Sequence, residues 1–225
     1  LLASEARIAS GFAISRYQAP QSHWMHLSRP ITRVNKDYAL LSWSATMFEY
    51  LMPTLYFHPH VNTLLHKSAE TMVNYQRSYA RSKGAPWGIS ESGFHQFDAS
   101  MNYQYRAFGV PALGFKRGLA DDLVIAPYAS LMALQWAPSS VEENIQDLKA
   151  HDAYGPFGFY EAIDFTANRL SPGKDYEVIR EYMSHHQGMI LMAIVNYLRD
   201  NIMVKRVLQD PLIKKIGRAS CRERV

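Results

Sequence analysis

A chain of 225 residues, 48% of them hydrophobic, is long enough to bury one large core. Its formal charge is +4, yet Lys214 to Val225 alone carry five Lys/Arg against one Glu, a net of +4. The body therefore balances to zero, with no basic stripe interleaved with aromatics, which argues against nucleic acid as a partner. The single cysteine, Cys221, sits in that tail, "KKIGRASCRERV", so the body has neither a disulfide framework nor a Cys-based metal site. The tail lacks apolar periodicity; residues 217–225 read as a non-native or disordered extension of a domain covering 1–216. No signal peptide opens the chain. The most apolar run, "MILMAIVNYL" from Met189, falls short of the ~20 residues of a membrane span, so the piece reads as soluble. Leu1 begins in mid-pattern without an initiator Met, as an excerpt of a longer protein would.

In chain order, Ile8, Phe12 and Ile14 lie at helical spacing and predict a helix over 3–17 that ends near Ala19 and Pro20. "HWMHLSRP" and the stretch to Tyr38 read as irregular. "LLSWSATMFEYLMP" from Leu41 is short and apolar, half helix, stopped at Pro53. Asn62 is placed to cap a long helix to Ser82, with Leu64, Leu65, Met72, Val73 and Tyr79 as its inner face. Residues 84–119 form a long connection rich in Gly and aromatics, which is expected to be functional or to hold short elements of its own. A helix is expected from Asp121 or Asp122 to Trp136. A third is capped by Ser139 or Ser140, with Glu142 and Glu143 in its first turn. "FYEAIDF" is short, and Gly173 to Arg180 leads into a last apolar helix over 184–201. Strand-like alternation is scarce, so the rhythm favours an all-α array of stacked helical hairpins.

One pattern occurs twice. Pro86 to Glu91, "PWGISE", and Pro156 to Glu161, "PFGFYE", both read Pro, aromatic, Gly, two further residues, Glu. Each follows a helix broken by Gly and Pro, so both glutamates sit on aromatic turns rather than in helix interiors. If the turns are equivalent in the array, Glu91 and Glu161 can meet across a central cavity.

Two carboxyl groups suffice to cut a glycosidic bond. A protonated one supplies a proton to the leaving oxygen, and an ionised one acts as nucleophile or activates water. Aromatic walls raise one pKa by desolvation, while hydrogen-bond donors keep the other group ionised. Glu49, between Phe48 and Tyr50, is a third candidate; buried, it needs a hydrogen-bonding partner and can equally be structural. "NYQYRAFGVP" sets the polar groups of Tyr103, Gln104, Tyr105 and Arg106 among rings, a mixture suited to sugar hydroxyls and sugar faces. Its other reading is a packed loop in which Arg106 pairs with a buried acid. Trp43 and Trp87 are candidate stacking platforms, and Tyr160 stands beside Glu161. His185 and His186 are adjacent, and neighbours on a helix diverge by about 100°. They cannot chelate a metal as an i, i+4 pair would; instead one can reach the cleft while the other, or Gln187, ties down the loop. Neither a metal nor an organic cofactor is expected.

Five ordered blocks carry a resemblance: "RPITRVNKDYALLSWSATMFEYLMPTL", "GAPWGISESGF", "YQYRAFGVPALGFKRGLADDLVIAPYAS", "YGPFGFYEAIDFT" and "YMSHHQGMILMAI". From Leu1 to about Asn201 the chain resembles the glycoamylase-like domain of cyclic β-1,2-glucan synthases. That resemblance implies an (α/α)6 toroid, here short of its N-terminal helices. It also implies an enzyme that closes β-1,2-glucan rings by retaining transglycosylation. The parent would be a very large protein at the cytoplasmic face of a bacterial inner membrane, with glycosyltransferase and phosphorylase-like regions. Under the resemblance Glu91 is the acid/base and Glu161 the nucleophile, the reverse order remaining open. Hydrolysis by the same carboxylates and a non-catalytic glucan-holding module are the rival readings. Ala45 stands where the family pattern leads one to expect Gly.

Overall fold

The computed structural model describes residues 1–214, so the tail assigned to 217–225 lies outside the described residues. In order, the chain forms α1 (Arg7–Ser15), α2 (Ser22–His26), β1 (Ile31–Val34), β2 (Asp37–Leu40), α3 (Met47–Leu51) and α4 (Leu64–Ser82). There follow β3 (Ser92–Phe97), β4 (Tyr103–Arg106), β5 (Val124–Ile125), α5 (Pro127–Leu131) and α6 (Pro138–Ala150). The remainder comprises β6 (Tyr154–Gly155), β7 (Gly158–Phe159), β8 (Ala162–Asp164), β9 (Glu177–Ile179), α7 (Ser184–Leu198) and α8 (Ile202–Val207).

The long helices carry the core. α4 buries Ala69, Met72, Val73 and Ala80, the face its periodicity marks, with Leu64, Leu65 and Tyr79 half-buried against the same core. Its cap is Thr63, whose hydroxyl accepts from the His66 N–H at 3.3 Å; the expected cap, Asn62, instead takes a left-handed conformation (φ 66°). At α6 the cap is displaced too. Pro138 occupies the first turn, pre-set for a helix and needing no N–H partner, so Ser139 and Ser140 fall inside and the two glutamates one turn later. α5 packs on α7 and on α3, and Leu51, Tyr128 and Met132 belong to the same buried core. A fully buried Leu or Ile contributes ~1.5–3 kcal/mol of stabilisation.

The all-α expectation is corrected by nine short strands among the described residues. β1 and β2 form a hairpin where the sequence looked irregular, and α2 occupies the stretch before it. β3 pairs with β4, β6 with β7, and β5, β8 and β9 form a three-stranded antiparallel sheet in that order. Most of these strands are two to four residues long, too short to display period-two alternation. Asp121 and Asp122 precede β5 and do not begin a helix. The first template lies between α4 and β3, whereas the second spans the β6–β7 hairpin; both lead into a strand. Glu91 is the residue before β3, and Glu161 the residue before β8.

Candidate active site

Each turn rests on a glycine that only glycine can supply. Gly88 has φ 131° and Gly158 φ 112°, both in territory closed to L side chains. The repeated spelling thus repeats a positive-φ glycine three residues before the glutamate, and each glutamate stands immediately before a strand.

β3 and β8 lie side by side without sharing a backbone ladder. The Gly93 N–H donates to Glu161 Oε1 at 3.1 Å, and the His95 N–H donates to Asp164 Oδ2 at 3.1 Å. Alternate N–H groups along β3 face away from β4. The carboxylates flanking β8 satisfy two of them. Gly93 makes this approach possible, because a Cβ there would lie 3.3 Å from Glu161 Cγ and 3.3 Å from Glu181 Oε2.

Glu161 is only 2% exposed. Its second oxygen, Oε2, lies 2.9 Å from His186 Nδ1. The other ring nitrogen, Nε2, lies 3.4 Å from the Tyr105 hydroxyl, so a ring with its proton on Nδ1 donates to Glu161 and accepts from Tyr105. Tyr128 stacks flat on His186 with ring centroids 3.7 Å apart. The Tyr128 hydroxyl donates toward Ser90 Oγ (2.8 Å) and the Glu91 carbonyl (2.9 Å), tying the second glutamate's backbone to the ring that fixes the first. The two contacts clamp both oxygens of the Glu161 carboxyl group.

Glu91 is in the opposite condition. It is half-buried, and desolvation, followed by the charges of Glu5 and Glu49 and opposed by Lys116, raises its pKa to about 7. A carboxyl poised there can hold a proton at neutral pH and release it readily. The charges of Glu91 and Glu161 both reach the Tyr105 and Tyr128 hydroxyls. After burial, they add to the upward shift of those phenols. The two glutamates and the two tyrosines therefore share one electrostatic environment.

The remaining sequence candidates separate into two groups. Tyr105 is 41% exposed and opens the Glu161–His186 chain toward solvent. His185 is exposed, its ring centroid 4.0 Å from that of His186; burial and then His186 lower its pKa. Gln187 donates to the Phe159 carbonyl at 3.0 Å and ties down the second turn. Tyr160 packs on Tyr182, 5.1 Å between centroids, below Arg180. Trp43 is 62% exposed, and its carbonyl accepts from the N–H of Lys116, the cation that acts on Glu91.

Other candidates are placed elsewhere. Trp87 is core, 7% exposed, its backbone clamped by Asn144. Glu49 is buried and accepts from the Ser42 hydroxyl (2.8 Å), the Thr46 N–H (3.0 Å) and the Trp43 N–H (3.1 Å). With Thr46 it forms a capping box for α3, signalled in the sequence by T-x-x-E and here filling the structural role. Arg106 pairs with Asp122 and lies over Phe94 and Phe108, the packed-loop alternative. Gln104 bonds the Phe97 carbonyl, and Tyr103 stacks on Phe97. A cavity of about 210 Å³ opens beside Arg106 and Lys116. Sequence reasoning missed Tyr128, Lys116 and Glu181, which carry no local motif and join the site only through tertiary contact. Among the described residues no cluster of three or more His, Cys, Asp or Glu is disposed to hold a metal, and no helix is long and apolar enough to cross a membrane.

Comparison with known proteins places this arrangement. The family model named Glycoamylase, described as "Putative glucoamylase", matches residues 1–211. A cyclic β-(1,2)-glucan synthase, NdvB of Rhizobium meliloti (strain 1021), is 42% identical over 214 residues, which are 95% of this chain and 8% of that protein. The chain thus spans a small fraction of that relative's length. A crystal structure of a "putative glucoamylase" from Bacteroides caccae superposes with a TM-score of 0.68 at 19% identity, over 96% of this chain and 54% of the other. An endo-β-1,2-glucanase from Chitinophaga pinensis gives 0.61 at 16% identity, over 87% and 46%. At such identities the structures speak for the fold alone. The family match over nearly the whole described length and the identity to the synthase agree: the chain belongs to the glycoamylase family.

Proposed function

We propose that this domain cleaves and re-forms β-1,2-glucosidic bonds in glucan chains by retaining transglycosylation, closing them into rings. The observation that carries the reading is the contrast between the two turn glutamates. Glu91, shifted to about 7, can protonate the departing sugar oxygen, and Glu161, held by the Gly93 N–H and His186, can attack the anomeric carbon. The C1–O bond breaks as the Glu91 proton passes to the leaving oxygen, and C1 becomes bonded to Glu161. A hydroxyl of the same chain then attacks C1, gives its proton to Glu91 and frees Glu161. The 42% identity to a cyclic β-(1,2)-glucan synthase supports the substrate. The same proposal includes the (α/α)6 toroid and a parent protein at the cytoplasmic face of a bacterial inner membrane, where glycosyltransferase and phosphorylase-like regions supply and trim the glucan.

The test is to incubate the full-length protein with linear β-1,2-glucan and weigh the products. A mass one water below that of a linear chain indicates ring closure, whereas shorter linear chains indicate hydrolysis by the same groups. Glu91→Gln and Glu161→Gln should abolish product formation and keep glucan binding. A holding module would keep binding and show no turnover in any form.

A further inference from the structure

The proposed chemistry uses two carboxyl groups, but a third lies near one of them, Glu161. Glu181 follows β9 on the segment leading into α7. Its Oε2 is buried and has no hydrogen-bond partner, although it lies against the Gly93 backbone on the side where Glu161 also packs. A buried acceptor left open is costly and calls for an explanation. Gly93 is the position that admits both carboxyl groups, since any side chain there would press on Glu161 Cγ and Glu181 Oε2 together. Burial and then the Glu161 charge raise the Glu181 pKa, with His186 opposing, so the groups share one field. Among the described residues Glu181 has neither lysine nor arginine as an ion-pair partner, unlike Asp164, which pairs with Arg169, and Glu177, which pairs with Lys174.

We propose that Glu181 is a substrate-contacting carboxyl, which receives a hydroxyl of the glucosyl unit whose anomeric carbon rests on Glu161. This rests on the transglycosylation reading. The chemistry of the linkage sharpens it. Within a β-1,2-linked chain the O2 of that unit is already bonded to the preceding sugar. It therefore cannot donate the 2-hydroxyl hydrogen bond on which many glycosidases rely. The donors left on the ring are the hydroxyls at C3, C4 and C6, and Glu181 takes one of them. A hydroxyl held in this way orients the ring so that C1 faces Glu161, and the bond strengthens as positive charge develops at C1.

In the full-length protein acting on linear β-1,2-glucan, Glu181→Ala should lower kcat/KM by about 10- to 100-fold. Glu181→Gln keeps one acceptor oxygen and should lose about 3- to 10-fold. A glucan oligosaccharide deoxygenated at the contacted hydroxyl should lose activity with the natural enzyme and lose little more with Glu181→Ala, the coupling expected of two groups that touch. Merely structural damage would not reproduce that coupling. Glu181→Ala within twofold of the natural enzyme, while Glu91→Gln and Glu161→Gln are inactive, overturns this inference alone. If Glu181→Ala does not fold, Glu181→Gln decides: a threefold or larger loss at an unchanged melting temperature supports the contact, and the natural value overturns it. Activity retained in both Glu91→Gln and Glu161→Gln would instead remove the transglycosylation reading.

Discussion

The two turns, 86–91 and 156–161, share a spelling and a positive-φ glycine, yet their surroundings are inverted. In the first, the aromatic is buried and the acid is open: Trp87 lies in the core and Glu91 is half-exposed. In the second, Phe157 is 80% exposed while Glu161 is sealed under His186. One bend thus presents a carboxyl whose pKa burial raises to about 7, and the other a carboxyl clamped by the Gly93 N–H and His186. A repeated motif fixes where a side chain starts; the elements that close over it decide its chemistry.

The sharpest way to break the contrast is to truncate each acid. Glu161→Ala leaves the Gly93 N–H and the buried His186 without their acceptor, and should cost about 3–5 kcal/mol in urea unfolding. Glu91→Ala removes no such acceptor and should show no comparable loss in the same measurement. Equal losses would refute the division. The glycines come next. A Cβ at Gly88 would lie 2.9 Å from the Ala126 carbonyl oxygen, so Gly88→Ala should cost about 2–4 kcal/mol; at Gly158 the nearest atom is Gln187 Oε1, 3.4 Å away, and Gly158→Ala should cost about 1–2 kcal/mol of conformational strain.

The third effect depends on pH. The folded-state pKa of Glu91 is raised from 4.5 to about 7, so the native state binds this proton more tightly than the unfolded chain. The stability it lends is complete below pH 4.5 and lost as pH climbs through 7. Glu91→Gln should therefore stabilise the domain at pH 8, by about 1–2 kcal/mol after allowance for its partial exposure, and give no gain at pH 4. Urea titrations at the two pH values read the difference directly. The smallest effect belongs to the exposed aromatics. Phe157→Ala and Trp43→Ala should change stability by less than about 0.5 kcal/mol, while Trp43→Ala weakens glucan binding measured by calorimetry.

The helices were legible because they are long. α4 and α7 give period 3.6 enough turns to show, whereas β5 and β8 offer two and three residues and reveal themselves only when paired. Caps shifted where a neighbour competed: by one position at α4, from Asn62 to Thr63, and by two or three at α6, from the serines to Ala137, with Pro138 opening the helix. The glutamate turns were legible because a Gly with positive φ imposes a spelling on the chain. Tyr128 and Glu181 were not, for nothing adjacent to either in sequence marks it; α5 and the end of β9 bring them in. Glu49 had a readable signal in T-x-x-E, a helix start rather than a sugar contact.

Glu161 also has an architectural duty. With Asp164 it closes the open side of β3, where unpaired N–H groups would otherwise invite a strand from another molecule. If Glu161 becomes an ester during turnover, it ceases to be a charged acceptor, and the Gly93 N–H is held less firmly for the life of the intermediate. Asp164, anchored by Arg169, does not change state and would keep the neighbouring seam shut. Reaction progress would then be written into the protection of a single backbone amide.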